Sequence, residues 1–279
     1  MKGEQYFVTM RDGVEIHVNV VEKGHDKWLI ATHGIGEHLG RNGFIADQLC
    51  SSYNILQYDL RGHGLSMGDP AFVEEFNDFV LDLDEIIGHL KSRYRMEKYA
   101  LFGHSMGALI TARYMQKNVR ENFYPQAVFL SAPPVELPGA LGSIVSKIPH
   151  SIISALSLNP LSLKIPGLID LDHLSHNLDT ARLYSEDSKN HMSLHSKLLF
   201  EMIKCSKETF SEKIDMKCPG FIVVGTADSI VSAKAVENYF SNIETGFSLR
   251  IILGGYHELH NEIEKYKKPY LDFLKESLA

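Results

Sequence analysis

The 279-residue sequence has few cysteines, no long apolar run and no basic cluster, and each shortage removes a class of protein. Its three cysteines, Cys50, Cys205 and Cys218, are odd in number and widely spaced. They match neither a disulfide framework nor a metal-ligand spacing, so reduced thiols in a cytoplasmic protein are expected. No stretch of about 18 uninterrupted apolar residues occurs, so no segment is expected to span a bilayer. The first residues, Met1-Lys2-Gly3-Glu4-Gln5, lack the apolar run of a signal peptide. No run of five basic residues is present, and the net charge of −7 argues against nucleic-acid binding. Internal repeats and low-complexity segments are absent too. What remains is a chain with 44% hydrophobic residues, long enough for one large α/β domain or two small ones.

The apolar patterning chooses between fold classes. Residues 5–10 and 14–21 alternate polar and apolar around Arg11-Asp12-Gly13, which predicts a hairpin of antiparallel edge strands. Trp28–Thr32 is continuously apolar, as in a strand covered on both faces. Further strands are predicted at 53–58, 99–102, 127–130, 221–224 and 249–253. Helical spacing is read over 44–51, 72–94, 233–240 and 258–278. Alternation of this kind implies right-handed crossovers and an α/β fold with a mostly parallel, eight-stranded sheet flanked by helices. Residues 134–212 interrupt it with helical and irregular stretches and no strong strand. From Pro138 to Ile169 the only ionisable side chains are Lys147, His150 and Lys164, and Pro149, Pro160 and Pro166 exclude one long helix. The expectation is a core of 1–133 and 213–279 with an inserted helical cap over the carboxyl ends of the strands. The surplus apolar surface of the cap would face an acyl pocket, a membrane surface, or both; an ordinary self-packed subdomain is the plainer reading.

One stretch organises the rest. Tyr99–Phe102 reads as a buried strand, Gly103-His104-Ser105-Met106-Gly107 follows, and an apolar helix starts at once. Strand, Gly-x-Ser-x-Gly and helix together make a nucleophile elbow. The turn is so tight that Ser105 must take a strained backbone, and Gly103 and Gly107 avoid the collisions a Cβ would cause. The pattern recurs as Gly64-Leu65-Ser66-Met67-Gly68. There the preceding strand ends well before it and Asp69-Pro70 follows, so Ser66 reads as a hydroxyl satisfied within a loop.

A serine hydroxyl needs a base, and the base an orienting acid. On this fold the order is serine, acid, histidine, each just beyond a later strand. Asp228, in Gly225-Thr226-Ala227-Asp228, and His257, after Gly254-Gly255-Tyr256, meet that demand; the strand ending at Leu130 is followed by no carboxylate. With 14 histidines in the chain a lone one means little, and His260 is the nearest competitor to His257. His33, His38, His63 and His104 lie in loops at the same end of the sheet. They show no helical i, i+4 pair and no His-x-His spacing, so neither metal nor other cofactor is expected. The oxyanion donors are expected to be the N–H groups of Met106 and Ile35, the latter in a loop where Gly34 and Gly36 permit close approach.

Three segments carry a family resemblance: His33-Gly34-Ile35-Gly36-Glu37-His38-Leu39-Gly40-Arg41, Asp59-Leu60-Arg61-Gly62-His63-Gly64-Leu65-Ser66, and the elbow itself. With Asp228 and His257-Glu258 they resemble the monoacylglycerol lipase and lysophospholipase branch of the α/β-hydrolases (serine aminopeptidase S33-like). Within the cap, Asp172-His173-Leu174-Ser175 and Tyr184-Ser185-Glu186-Asp187 are similar to family members as well. The resemblance implies hydrolysis of a fatty-acyl ester of a small polar alcohol. It also implies that Glu37, Arg41, His104 and Tyr184 lie near the head group, although Glu37 and Arg41 could equally form a loop ion pair. Asn42 departs from the family, which usually carries an aromatic residue there. The expected partner is thus a small lipid ester, with transient membrane contact through the cap. A short-chain carboxylesterase, thioesterase or peptidase with the same three residues is the alternative, and a silent binding scaffold a third. The oligomeric state is not legible.

Overall fold

A computed structural model describes residues 3–139, 145, 147–158 and 162–279. In chain order its strands are β1 (Glu4–Thr9), β2 (Glu15–Val21), β3 (Lys27–Thr32), β4 (Asn54–Tyr58), β5 (Lys98–His104), β6 (Ala127–Ser131), β7 (Lys164–Pro166), β8 (Ser193–His195), β9 (Gly220–Gly225) and β10 (Phe247–Ile252). Its helices are α1 (Phe44–Leu49), α2 (Asn77–Arg93), α3 (Met106–Lys117), α4 (His150–Ser157), α5 (Asp179–Glu186), α6 (Ser196–Thr209), α7 (Ala233–Asn242) and α8 (Glu264–Ser277).

Eight strands form one sheet in the order β1-β2-β4-β3-β5-β6-β9-β10. From β4 to β10 every pairing is parallel; β1–β2 and β2–β4 are antiparallel. The continuous apolar runs of β3 and β6 are explained by burial on both faces. One face packs against α2, α3 and α7, and the other against α1 and α8. A mostly parallel sheet flanked by helices is what the alternation of elements implies, and its strand order fits the α/β-hydrolase fold that the family resemblance implies.

Strand order reverses direction at β3 and β5. The chain steps from β3 outward to β4, then returns to pair β5 on the other side of β3. At such a switch point the loops leaving neighbouring strands diverge and open a crevice at their carboxyl ends. The Gly34–Glu37 loop leaves β3 there, and Ser105 leaves β5.

Two sequence expectations need correction. The helix read over 72–94 begins only at Asn77. Residues 72–76 are held as irregular backbone by Phe72 N–H on the Asp69 carbonyl, by Ala71 at a φ of 53°, and by Phe76 N–H on the buried Glu201 carboxylate at 3.1 Å. Their apolar side chains pack, but without helical backbone. The closing helix likewise starts at Glu264 rather than 258, because Leu259–Asn261 forms a 3₁₀ turn bonded to neighbouring loops.

Among the described residues, the segment between β6 and β9 is helical and irregular, with one addition the patterning did not reveal. β7 and β8 pair antiparallel, and at three residues each they are too short to show alternation. His195 Nδ1 and Ser162 Oγ, 2.9 Å apart, brace their end. Helix α6 packs on α3, and its Leu198 and Cys205 belong to the same apolar cluster as the sheet. Pro160 and residues 140–144, 146 and 159–161 of the apolar stretch lie outside the described residues.

Candidate active site

Ser105 stands between β5 and α3 with φ 53° and ψ −121°, a left-handed backbone that a non-glycine residue adopts only when its surroundings impose it. The two glycines explain how it is imposed. A Cβ on Gly107 would sit 2.3 Å from the Thr32 carbonyl oxygen, and one on Gly103 would sit 2.4 Å from the Gly107 oxygen. Both obstacles are backbone, so neither can yield. The result presses α3 against β3 and turns the serine side chain toward the crevice.

His257 arrives from the loop after β10 and Asp228 from the turn after β9. Ser105 Oγ lies 2.9 Å from His257 Nε2, and His257 Nδ1 lies 2.7 Å from Asp228 Oδ2. The other oxygen, Asp228 Oδ1, accepts the N–H groups of Ile230 and Val231 at 2.8 and 2.9 Å. The carboxylate is thereby pinned with one oxygen left for imidazole. Burial pulls the His257 pKa down, but the Asp228 charge and hydrogen bond, with Glu258 and Glu37 beyond, outweigh it and raise it above the ordinary imidazole value. All three side chains are buried, so their mutual interactions are weakly screened.

The Ile35 and Met106 amides have no intramolecular acceptor among the described residues. Met106 N–H is one of the free donors at the start of α3. The loop carrying Ile35 passes close to the serine: a Cβ on Gly34 would be 3.2 Å from Ser105 Cβ and 2.7 Å from Glu37 Oε1. His33 stiffens it. Its Nδ1 donates to the Gly34 carbonyl at 2.8 Å, and its Nε2 accepts Leu60 N–H at 3.0 Å. Burial lowers its pKa to about 4 and keeps it neutral for both roles.

Above Ser105 a cavity of about 280 Å³ is lined mostly by apolar side chains, among them Ile35, Leu137, Leu174, Leu194, Met202 and Ile230. A second apolar cavity of about 240 Å³ shares the wall of Leu137, Val145, Met202 and Ile203 and continues toward Phe210. Of the four residues implied near a head group, Glu37 and Tyr184 border the first cavity, whereas Arg41 and His104 do not. Arg41 lies over the Tyr184 ring at 4.7 Å, and its Nη2 donates to both oxygens of Glu258, Oε1 at 2.6 Å and Oε2 at 2.5 Å. Its Nε is 4.0 Å from Glu37 Oε2, so the main ion pair is with Glu258, a residue 217 positions away. His104, fully buried, faces Glu37 Oε1 at 3.7 Å. Tyr184 spends its hydroxyl on the Gly36 carbonyl at 2.8 Å. Burial, then repulsion from Glu258, raises the Glu37 pKa to about 7 against the opposing charge of Arg41.

The remaining histidines are accounted for by contacts. His260 stacks on Phe44 at 4.6 Å and makes no bond to Ser105. His38 reaches Asp187, just after α5, at 2.9 Å, and His63 Nδ1 donates to the Arg61 carbonyl. Among the described residues, no three His, Cys, Asp or Glu side chains converge into a metal cage. Ser66 Oγ donates to the Asp59 carbonyl at 2.7 Å and accepts His17 N–H at 2.9 Å, a loop hydroxyl with both roles filled. Sequence reasoning missed Glu258 as the partner of Arg41. Its only signal was position, directly after His257.

Comparison with known proteins supplies the family. A monoglyceride lipase homologue of Monkeypox virus is 26% identical over 242 residues, 85% of this chain and 83% of that one. Among solved structures, the monoacylglycerol lipase of Paleococcus ferrophilus superposes with a TM-score of 0.78 at 24% identity, covering 98% of this chain and 99% of its own. A soluble variant of Saccharomyces cerevisiae monoglyceride lipase, in complex with a substrate analogue, reaches 0.80 at 18% identity, covering 99% and 94%. Both share the α/β-hydrolase fold. The sequence pattern of the hydrolase family described as serine aminopeptidase, S33, matches residues 23–264, which take in the Gly34 loop, the elbow, Asp228 and His257, and the chain belongs to that family.

Proposed function

We propose that the protein is a serine ester hydrolase that cleaves the fatty-acyl ester of a small polar alcohol, a monoacylglycerol or a lysophospholipid, through an acyl-enzyme on Ser105. The observation that carries this reading is the 2.9 Å contact between Ser105 Oγ and His257 Nε2 at the floor of an apolar cavity. His257 Nε2 takes the hydroxyl proton as Oγ attacks the ester carbonyl. Asp228, bonded to Nδ1–H, holds the ring in the tautomer that can accept at Nε2 and stabilises the imidazolium. The N–H groups of Ile35 and Met106 receive the oxyanion; each such donor contributes about 3–4 kcal/mol to the transition state. The intermediate collapses, His257 protonates the departing alcohol oxygen, and water then repeats the cycle on the acyl-enzyme.

The two adjoining apolar cavities support a long acyl chain, and Glu37 is the polar group that meets the alcohol side. Arg41 and His104 then act on Glu37 from behind rather than on substrate. Residues 134–212 serve as the cap. Leu158 and Leu163, 76% and 70% exposed, give it an apolar outer face suited to transient contact with a lipid surface. No helix among the described residues is long and apolar enough to cross a membrane, so contact would be peripheral. The three unpaired thiols fit a cytoplasmic location.

Ser105→Ala should lower turnover by roughly 10⁴- to 10⁶-fold with the fold intact; near-normal turnover would end the proposal. Purified enzyme assayed against monoacylglycerols, lysophospholipids and short esters separates the substrate classes. Best kcat/KM on acetyl esters would favour a short-chain carboxylesterase instead.

A further inference from the structure

The loop that carries His257 is not held by the sheet alone. At its far end Glu262, with a fully buried side chain, gathers four N–H donors on one carboxylate. Oε1 accepts Tyr256 N–H at 2.9 Å and His176 Nδ1–H at 2.8 Å. Oε2 accepts His176 N–H at 3.0 Å and Ile263 N–H at 3.1 Å. Two of these donors belong to the His257 loop and two to the cap. The same cap strip makes further bonds to this loop: Glu258 N–H donates to the Leu174 carbonyl at 2.8 Å, and Ser175 Oγ to the Asn261 carbonyl at 2.9 Å. The His176 ring stacks on Tyr256 with centroids 3.8 Å apart. Leu174, at the start of this strip, borders the cavity above Ser105.

Tyr256 immediately precedes His257, so the Tyr256 N–H bond acts within one residue of the imidazole. We propose that Glu262 is a positioning residue for His257, tying the base to the Leu174–His176 strip of the cap so that His257 stands in register with Ser105 only while that strip is latched. This rests on the reading of His257 as the base. It adds that the substrate-covering segment and the base are one mechanical unit: cap movement that carries the strip must carry the imidazole or break the latch. A buried carboxylate suits this task, because four donors need an acceptor with about four lone-pair sites, which only the ionised acid supplies.

The test is Glu262→Gln, which keeps size and turns one acceptor atom into a donor. Either orientation of the amide sets its NH₂ against two of the four donors. His176 can adapt by moving its ring proton to Nε2, but the backbone N–H groups cannot. A displacement of about 1 Å in a reacting group can cost about 100-fold in rate. The expected result is therefore a kcat lower by roughly 10- to 100-fold on short and long esters alike, with KM nearly unchanged, per mole of folded enzyme. His176→Phe keeps the ring stack but deletes the Nδ1 bond, and should lower kcat by about 3- to 10-fold. The double variant should be no slower than Glu262→Gln alone, because both act through one latch. Wild-type kcat in either single variant, or strictly multiplicative effects, would overturn the proposal. Should Glu262→Gln not fold, His176→Phe decides by its kcat, since that side chain is only partly buried. Full turnover in Ser105→Ala would instead refute the active-site reading on which the proposal rests.

Discussion

Asp228→Asn tests the proposed division of labour at the site, and the structure dictates how it must fail. In the wild type Oδ1 is committed to Ile230 and Val231 N–H, and Oδ2 to His257 Nδ1–H. An asparagine has one acceptor oxygen, and the two backbone donors claim it. The amide NH₂ is then left facing His257 Nδ1. To accept that hydrogen the ring moves its own proton to Nε2, which now points N–H at Ser105 Oγ. A donor in that position cannot remove the hydroxyl proton. The loss should be about 10³- to 10⁴-fold in kcat, or roughly 4–5.5 kcal/mol of barrier. Because the backbone bonds of Oδ1 survive, the urea midpoint should report a stability change of only about 1 kcal/mol. The pH profile gives an independent reading. Wild-type kcat/KM should climb as His257 loses its proton, with a midpoint above the ordinary imidazole value of about 6.5, and the residual activity of Asp228→Asn should titrate at lower pH because the raising charge is gone. Initial-rate ester hydrolysis by protein of verified fold measures both. A variant retaining more than a tenth of wild-type kcat, or titrating at the wild-type midpoint, would refute the reasoning.

The elbow glycines make a second prediction: Gly107→Ala drives a Cβ to 2.3 Å from the Thr32 oxygen and should cost about 3 kcal/mol or more by urea denaturation. Gly88→Ala, in α2 with nothing within 4 Å of the added atom, should instead stabilise by roughly 0.5–1 kcal/mol. Arg41→Met would leave the Glu258 carboxylate buried without its partner and should cost about 3–5 kcal/mol in the same assay, with Glu258→Gln in the same chain recovering part of it. His63 predicts acid sensitivity. Burial, then repulsion from His33, lowers its pKa to about 3, so between pH 6.5 and 3 the unfolded chain takes up a proton that the folded one refuses. Its contribution is intact above pH 6.5 and is lost as pH falls. His63→Phe should therefore flatten the dependence of unfolding free energy on pH between 6 and 4 by one proton, about 1.4 kcal/mol per pH unit; an unchanged slope would rule out a neutral buried His63.

The parts legible in the sequence were those whose physics is local. Strand–helix alternation specifies a mostly parallel sheet, since parallel neighbours need crossovers. Ser105 could be told from Ser66 because a strained elbow needs a strand before it and a helix directly after, and only one copy of Gly-x-Ser-x-Gly has both. Asp228 and His257 were selected by their places just beyond later strands, and the structure brings both to Ser105. What tertiary structure decided were contacts between segments far apart in the chain. Arg41 pairs with Glu258 rather than mainly with Glu37, because the loop after β10 folds back over the loop after β3, and a four-residue spacing carries no information about that. Arg41 and His104 retreat behind the cavity wall for the same reason, and β7 and β8 are too short to exist without each other. Glu262 is one acid among 35 Asp and Glu residues until the fold sets four N–H donors around it. The proposed nucleophile can be read from backbone strain encoded within five residues. The network around the proposed base depends on low-dielectric burial and long-range closure, which exist only once the chain has folded.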